Sequence, residues 1–283
     1  MKGVNHLNYK IVADSSCDLN DELKEKMDIG LVPLKIDVGG KTFVDDENLD
    51  VIELLEAMEN SYEPIKTSSP SPGDFLKEYE KGDNVFVVTL SSALSSTYSN
   101  AVLAKNIALE TGNKFIHVFD SLSASIGETL ISLKISESIQ NNLKPKEIAN
   151  KVEEYIDEMK TFFILESLDN LMKNGRISKT MGHIASMLSI KPIMGGDDSG
   201  SIKLVEKVRG SKRAFNRLVE IIGEEGSQFE DKTLGISHVN ALDRAEELKK
   251  AIEEKYNFKE VIIVETAGLS TSYAGEGGII IAF

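Results

Sequence analysis

The feature that most constrains this chain is a repeated unit: a short unbroken apolar strand, a loop rich in hydroxyls, then a helical stretch. Asn84-Val-Phe-Val-Val-Thr-Leu90 is the plainest case, followed by Ser91 to Ser96 and a helix over Thr97 to Glu110 that stops at Gly112. Ile11 to Ala13 and Phe115 to Phe119 repeat the pattern, with helices at Asn20 to Met27 and Ser125 to Asn141. A strand covered on both faces is apolar throughout instead of alternating, and strands joined by helices run parallel. A further helix is expected over Lys144 to Met159, where Ile148, Val152, Ile156 and Met159 make one apolar stripe. The first half therefore reads as a three-layer α/β/α unit around a parallel sheet.

A small β excursion is expected at about residues 35–65, where the apolar run Ile29 to Val38 meets Gly39-Gly40 and a short strand at Lys41 to Val44. Glu63 to Pro72, rich in Ser and Pro, is expected to be irregular. Beyond residue 160 the pattern changes. Strands are expected at Thr161 to Leu165, Ile202 to Val208, Leu234 to Ser237, Val261 to Glu265 and Ile279 to Phe283, with hairpin chemistry at Gly195 to Gly200. Short helices at Leu168 to Lys173, Ser211 to Gly223 and Asp243 to Tyr256 fill the gaps. This is an α+β layer with a mixed sheet. With 283 residues, two domains are the natural division, 1–160 and 161–283, closely packed because no flexible linker separates them.

Charge narrows the partners. The chain has 46 acidic against 32 basic residues, a net charge of −14, and no basic run of five. Phosphate contacts need clustered Lys and Arg, so nucleic acids and anionic membrane surfaces are poor partners. Cys17 is the only cysteine, which excludes an intrachain disulfide and a Cys-based zinc site and fits a reducing cytoplasm. Met1 to Lys10 lacks the apolar core of a signal peptide, and the longest apolar runs, such as Gly278 to Phe283, are too short to cross a bilayer. His6, His117, His183 and His238 lack ligand spacing, so no metal is expected. His117, inside an apolar strand, reads as a core histidine. No P-loop or dinucleotide fingerprint is present.

In an open parallel sheet, ligands bind beyond the carboxyl ends of the strands. Three such ends here carry Asp14-Ser15-Ser16-Cys17, Ser91-Ser92-Ala93-Leu94-Ser95-Ser96-Thr97, and Asp120-Ser121-Leu122-Ser123. Each alone reads as an ordinary helix cap; together, hydroxyls and free N–H groups suit a small anionic head group.

Six motifs sharpen that class. Ile11 to Leu19, Lys66-Thr67-Ser68-Ser69-Pro70-Ser71-Pro72, Leu90 to Tyr98, Val118 to Ser125, Leu171 to Ser178 and Lys207-Val-Arg-Gly210 resemble, in order, the motifs of the DegV family. Ser69 and Ser96 stand where that family usually has Gln and Gly. The resemblance implies a soluble two-domain protein holding one long-chain fatty acid, such as hexadecanoate, in a tunnel between the domains. It also implies that Thr67 and Ser95 hold the carboxylate. Ser15, Ser16, Ser96 and Arg176 are further candidates for the pocket or head group, and Arg209 for contact with a partner. Tyr273, in Ser272-Tyr-Ala-Gly-Glu-Gly277, stands where the family has a histidine, and Glu276 where it has a proline. A phenol hydrogen-bonds but does not carry the positive charge of an imidazolium.

The family's role implies a monomeric cytoplasmic lipid carrier without cofactor. It would present its acid to an ATP-binding fatty acid kinase subunit for phospholipid synthesis and do no chemistry itself. Two other readings stay open on the sequence: a phosphotransfer component like the substrate-binding half of dihydroxyacetone kinases, and a lipid-sensing regulator.

Overall fold

A computed structural model of the chain describes residues 8–181 and 189–283. His6 and His183, and the start of the Met1 to Lys10 stretch, lie outside the described residues. In chain order, the first part comprises β1 (Tyr9–Asp14), α1 (Asp21–Met27), β2 (Ile29–Val32), β3 (Lys35–Val38), β4 (Lys41–Val44), α2 (Val51–Glu59) and β5 (Lys66–Ser68). Then come α3 (Pro72–Tyr79), β6 (Asn84–Thr89), α4 (Thr97–Thr111), β7 (Phe115–Asp120), α5 (Ile126–Gln140) and α6 (Pro145–Glu158). The expected parallel sheet is present, in the order β2-β1-β6-β7 with every pair parallel. All six residues of β6 are buried, which is why that segment shows no alternation. On one face Val85 and Val87 meet Phe75 and Tyr79 of α3 and Ala101 and Ala104 of α4. On the other, Phe86 and Val88 meet α1, α5 and α6.

The later elements are β8 (Thr161–Ile164), α7 (Asp169–Lys173), β9 (Ile190–Gly196), β10 (Ile202–Arg209), α8 (Ser211–Glu225), β11 (Thr233–His238), α9 (Leu242–Glu253), β12 (Glu260–Glu265), α10 (Gly268–Ala274) and β13 (Ile279–Ala282). They form a mixed sheet in the order β10-β9-β8-β13-β11-β12, parallel only between β11 and β12. Leu218 and Ile222 of α8 and Leu248 and Ile252 of α9 cover its outer face.

Helix α5 lies between the two sheets and contacts β1 and β6 on one side and β11 and β13 on the other. Eleven of its fifteen residues are therefore buried, so it shows no polar face. Gly235 of β11 admits Ile126 of α5, because a Cβ there would overlap that side chain. Leu130, Ile131, Val264 and Ala282 share one core.

Two expectations fail. Glu63 to Pro72 is not irregular: it contains β5, which pairs antiparallel with β3 so that Thr67 lies opposite Ile36. Pro72 then opens α3, with Ser71 and Asp74 forming a capping box. A three-residue polar edge strand carries no alternation, so its partner 31 residues earlier defines it. Together β4-β3-β5 make a third, antiparallel sheet over Leu54 of α2. Helices α2 and α10 were not evident in the sequence pattern. His117 is half-buried, not core, and its Nε2 lies 2.8 Å from Glu153.

Candidate functional site

The buried acids at the strand ends fix the loops. Asp14 accepts from the Ser16 and Leu90 N–H groups at 2.9 and 2.8 Å, joining the ends of β1 and β6. Asp45 accepts from Ser15 Oγ at 2.8 Å and from the Gly268 and Leu269 N–H groups at 2.7 and 2.9 Å. The small sheet and the start of α10 are thus held by one carboxylate, a charge-stabilised cap. A Cβ on Gly268 would come within 2.7 Å of Asp45 Oδ1, so only glycine allows that approach. Asp18 accepts from Ser125 Oγ and from the Ala267 N–H. Burial pushes the Asp14 and Asp18 carboxyls up to about 7, against the lowering effect of their hydrogen bonds. Burial also raises Asp45 and, well above the usual range, Glu128, which has Asp14 and Asp18 close by.

These loops surround a cavity of about 890 Å³, counting its open mouth. Its wall is mostly apolar, with Leu34, Leu90, Leu94, Phe163, Leu171 and Ile280 among the lining residues. The wall draws on loops of the parallel sheet and on strands of the mixed sheet. At one place four polar side chains line it: Thr67, Ser95, Arg176 and Tyr273. Thr67 on β5 and Tyr273 on α10 place their hydroxyls 2.9 Å apart. The Arg176 guanidinium lies 5.8 Å from the Tyr273 ring centroid and donates through Nε to the Leu94 carbonyl at 3.1 Å. It also donates to the Asn174 carbonyl at 2.6 Å and has no carboxylate partner among the described residues. Arg176 is the one charged side chain among the described residues lining the cavity. An unpaired guanidinium beside hydroxyls at one end of an apolar cavity suits an anionic head on a long apolar body.

The candidates named from the sequence divide into two groups. Thr67, Ser95, Ser16, Arg176 and Tyr273 line the cavity together. Ser95 Oγ lies 2.9 Å from Thr97 Oγ1 and accepts from the Thr97 N–H at 3.3 Å, so it also supports the first turn of α4. Ser15, Ser96 and Arg209 stand outside the lining. Ser15 is buried against Asp45, and its oxygen accepts from the Leu34 N–H at 3.0 Å. Ser96 Oγ lies 2.7 Å from Ser69 Oγ, tying the β5 loop to α4. Arg209 is exposed at the end of β10, and Glu276 is exposed with an Asn240 contact at 3.1 Å.

Sequence reasoning missed Asp45, which lies outside every motif and accepts from the first N–H groups of the helix that carries Tyr273, and the cavity-lining hydroxyls Thr161 and Ser270. Ser123 and Ser125, which also line the cavity, fall within the motifs but carry no site assignment there. Cys17 is buried, with Thr129 and Ser132 hydroxyls 3.8 Å from its sulfur, and burial pushes its thiol up. Among the described residues no cluster of His, Cys, Asp or Glu could hold a metal ion, and no helix is long and apolar enough to cross a membrane.

Comparison with known proteins points the same way. Residues 8–283 match the family model described as "Uncharacterised protein, DegV family". A DegV domain-containing protein of Streptococcus pneumoniae is 33% identical over 280 residues, which is 98% of this chain and 99% of that one. Three solved structures superpose closely. A DegV family protein of Ruminococcus gnavus, with vaccenic acid, has 40% identity and a TM-score of 0.93, covering 97% of this chain and 99% of its own. One from Eubacterium eligens, loaded with heptadecanoic acid, has 30% identity and a TM-score of 0.91, covering 97% and 98%. The fatty acid kinase B3 protein of Streptococcus pneumoniae, loaded with linoleic acid, has 32% identity and a TM-score of 0.91, covering 98% and 99%.

Proposed function

The chain belongs to the DegV family, and on that premise we propose that it carries one long-chain fatty acid in the cavity between its two large sheets, carboxylate towards Arg176. The observation that carries this reading is the position of Arg176 as the single charge, among the described residues, on an otherwise apolar and hydroxylic wall that also includes Thr67, Ser95 and Tyr273. The acyl chain leaves water for the cavity at roughly 0.8 kcal/mol per buried CH₂. Affinity then comes from the chain, and orientation from the guanidinium and three hydroxyls. Tyr273 completes the head-group contacts as a neutral donor, leaving Arg176 to supply the charge. The acids carried by the Ruminococcus, Eubacterium and pneumococcal proteins support the same ligand class here.

The protein, in this reading, is a cytoplasmic monomer that does no chemistry itself. It presents the acid to an ATP-binding fatty acid kinase subunit, which makes the acyl phosphate. The description of the pneumococcal neighbour as a fatty acid kinase protein supports that partner class, and exposed Arg209 is assigned to its contact.

Native mass spectrometry of the freshly purified chain tests the ligand. A mass excess matching an acid of about fourteen to eighteen carbons is expected, bound through burial of its methylenes. A ligand-free protein that also ignores an added fluorescent fatty acid sinks the reading. ATP hydrolysis by the isolated chain would overturn its role as a carrier alone.

A further inference from the structure

Resting on the reading of the cavity as an acyl site, we infer that Leu122 separates that cavity from a second one and so limits the length of chain accepted. The cavity has a direction. Thr161, Phe163 and Leu165 alternate along β8 and its end, and all three line it, giving a wall roughly 13 Å long at about 3.3 Å per residue. Leu165 marks the head-group end, because β13 begins soon after Tyr273 and pairs Ile279 with Ile164. Thr161 marks the opposite end. It pairs with Ala282 and, by continuation of the β8–β9 register, lies beside Gly196.

A second cavity begins there, lined by Ile156, Met159 and a charged rim that includes Asp157 and Lys203. Leu122, Thr161 and Gly196 line both cavities, so the partition is one residue thick. Leu122 is built into it under constraint. Its φ of 51° is uncommon for a residue with a bulky side chain, and such a backbone persists only where its surroundings fix it. Its N–H donates to the Asp120 carboxylate at 3.3 Å. The β9–β10 turn is clamped onto it by Ser91 Oγ donating to the Gly200 carbonyl at 2.9 Å, close enough that a Cβ on Gly200 would lie 2.9 Å from Leu122 Cα. Leu122 is the one member of the trio with a large apolar side chain. Removing that side chain joins the two cavities.

The test is competition between fatty acids of graded length and a fluorescent acid, on the full chain and on Leu122→Gly and Leu122→Ala. Glycine adopts this backbone without strain. If Leu122→Gly does not fold by its melting curve, Leu122→Ala, which keeps the Cβ, carries the comparison. In the variants the affinity for a 22-carbon acid relative to a 16-carbon acid should rise at least about tenfold, the worth of roughly two further buried CH₂ groups. An unchanged ratio in the folded variants overturns the partition while leaving the acyl site standing. Failure of the unmutated chain to bind any acid overturns the acyl reading itself.

Discussion

The hydroxyls of Thr67 and Tyr273 meet at 2.9 Å although 206 residues separate them in the chain. Thr67 reaches the site on an edge strand of the small sheet, Tyr273 on the seven-residue helix α10. Asp45 directly follows β4 of that sheet and accepts from the first two N–H groups of α10, so one carboxylate ties the small sheet to the helix that carries Tyr273.

If these two hydroxyls hold the carboxylate, Thr67→Val and Tyr273→Phe should each weaken fatty acid binding by about 3- to 10-fold, the worth of one net hydrogen bond. The double variant should lose less than the product, because the two groups also bond each other. Displacement of a fluorescent acid measures this. Affinities unchanged in both single variants would remove the pair from the head-group site.

Arg176 should matter more. Arg176→Met keeps much of the stem and deletes the one charge that the described residues place on the cavity wall, and a charge-assisted bond is worth about 1.5–3 kcal/mol, or roughly 10- to 150-fold. The loss should be large for a fatty acid and small for the matching alcohol, which carries no charge. Equal losses for acid and alcohol would assign Arg176 to the support of Leu94 instead.

Asp45→Ala should destabilise the fold by about 1–3 kcal/mol, since it leaves Ser15 and two α10 N–H groups without their partner in a buried place. Urea unfolding reports the change. Binding should fall as well, because α10 carries Tyr273. A stable variant that binds as before would show that α10 needs no such anchor.

Stability should also depend on pH. Asp14 and Asp18 release their protons near pH 4 in the unfolded chain but only near 7 in the fold, because burial disfavours their charge. Between those values the folded state binds more protons, so this contribution is full below about pH 4 and is lost as pH rises through about 7. Raised Asp45 and Glu128 act in the same direction. The urea midpoint should therefore fall between about pH 5 and about pH 8, and Asp14→Asn with Asp18→Asn should flatten that slope. A midpoint that climbs over this range in the unmutated chain contradicts the assignment.

Much of the fold was legible before any coordinates. Continuous apolar runs such as Val85 to Val88 mark strands covered on both faces, and the stripe of Ile148, Val152 and Ile156 marks a helix with one buried side. The Ser/Pro stretch around Thr67 misled, because a three-residue polar strand has no period of its own. Ser15 carries the same motif signal as Ser16, and Ser96 directly follows Ser95, yet the Ser15 and Ser96 hydroxyls turn to Asp45 and Ser69. Which of two adjacent serines lines a cavity depends on the turn geometry, not on residue type.

Legible along the chain are a parallel sheet with hydroxyl-rich strand ends, a mixed sheet after it, and a family resemblance that names Thr67, Ser95, Arg176 and Tyr273 as candidates. These are properties of local pattern, and short-range periodicity survives in one dimension. Tertiary contacts alone bring those four to one cavity, tie the start of α10 to Asp45 and set Leu122 where two cavities meet. Such relations depend on how α5 is held between two sheets and how β13 closes back onto β8, and contacts made by chain closure leave no mark on the residues around each partner.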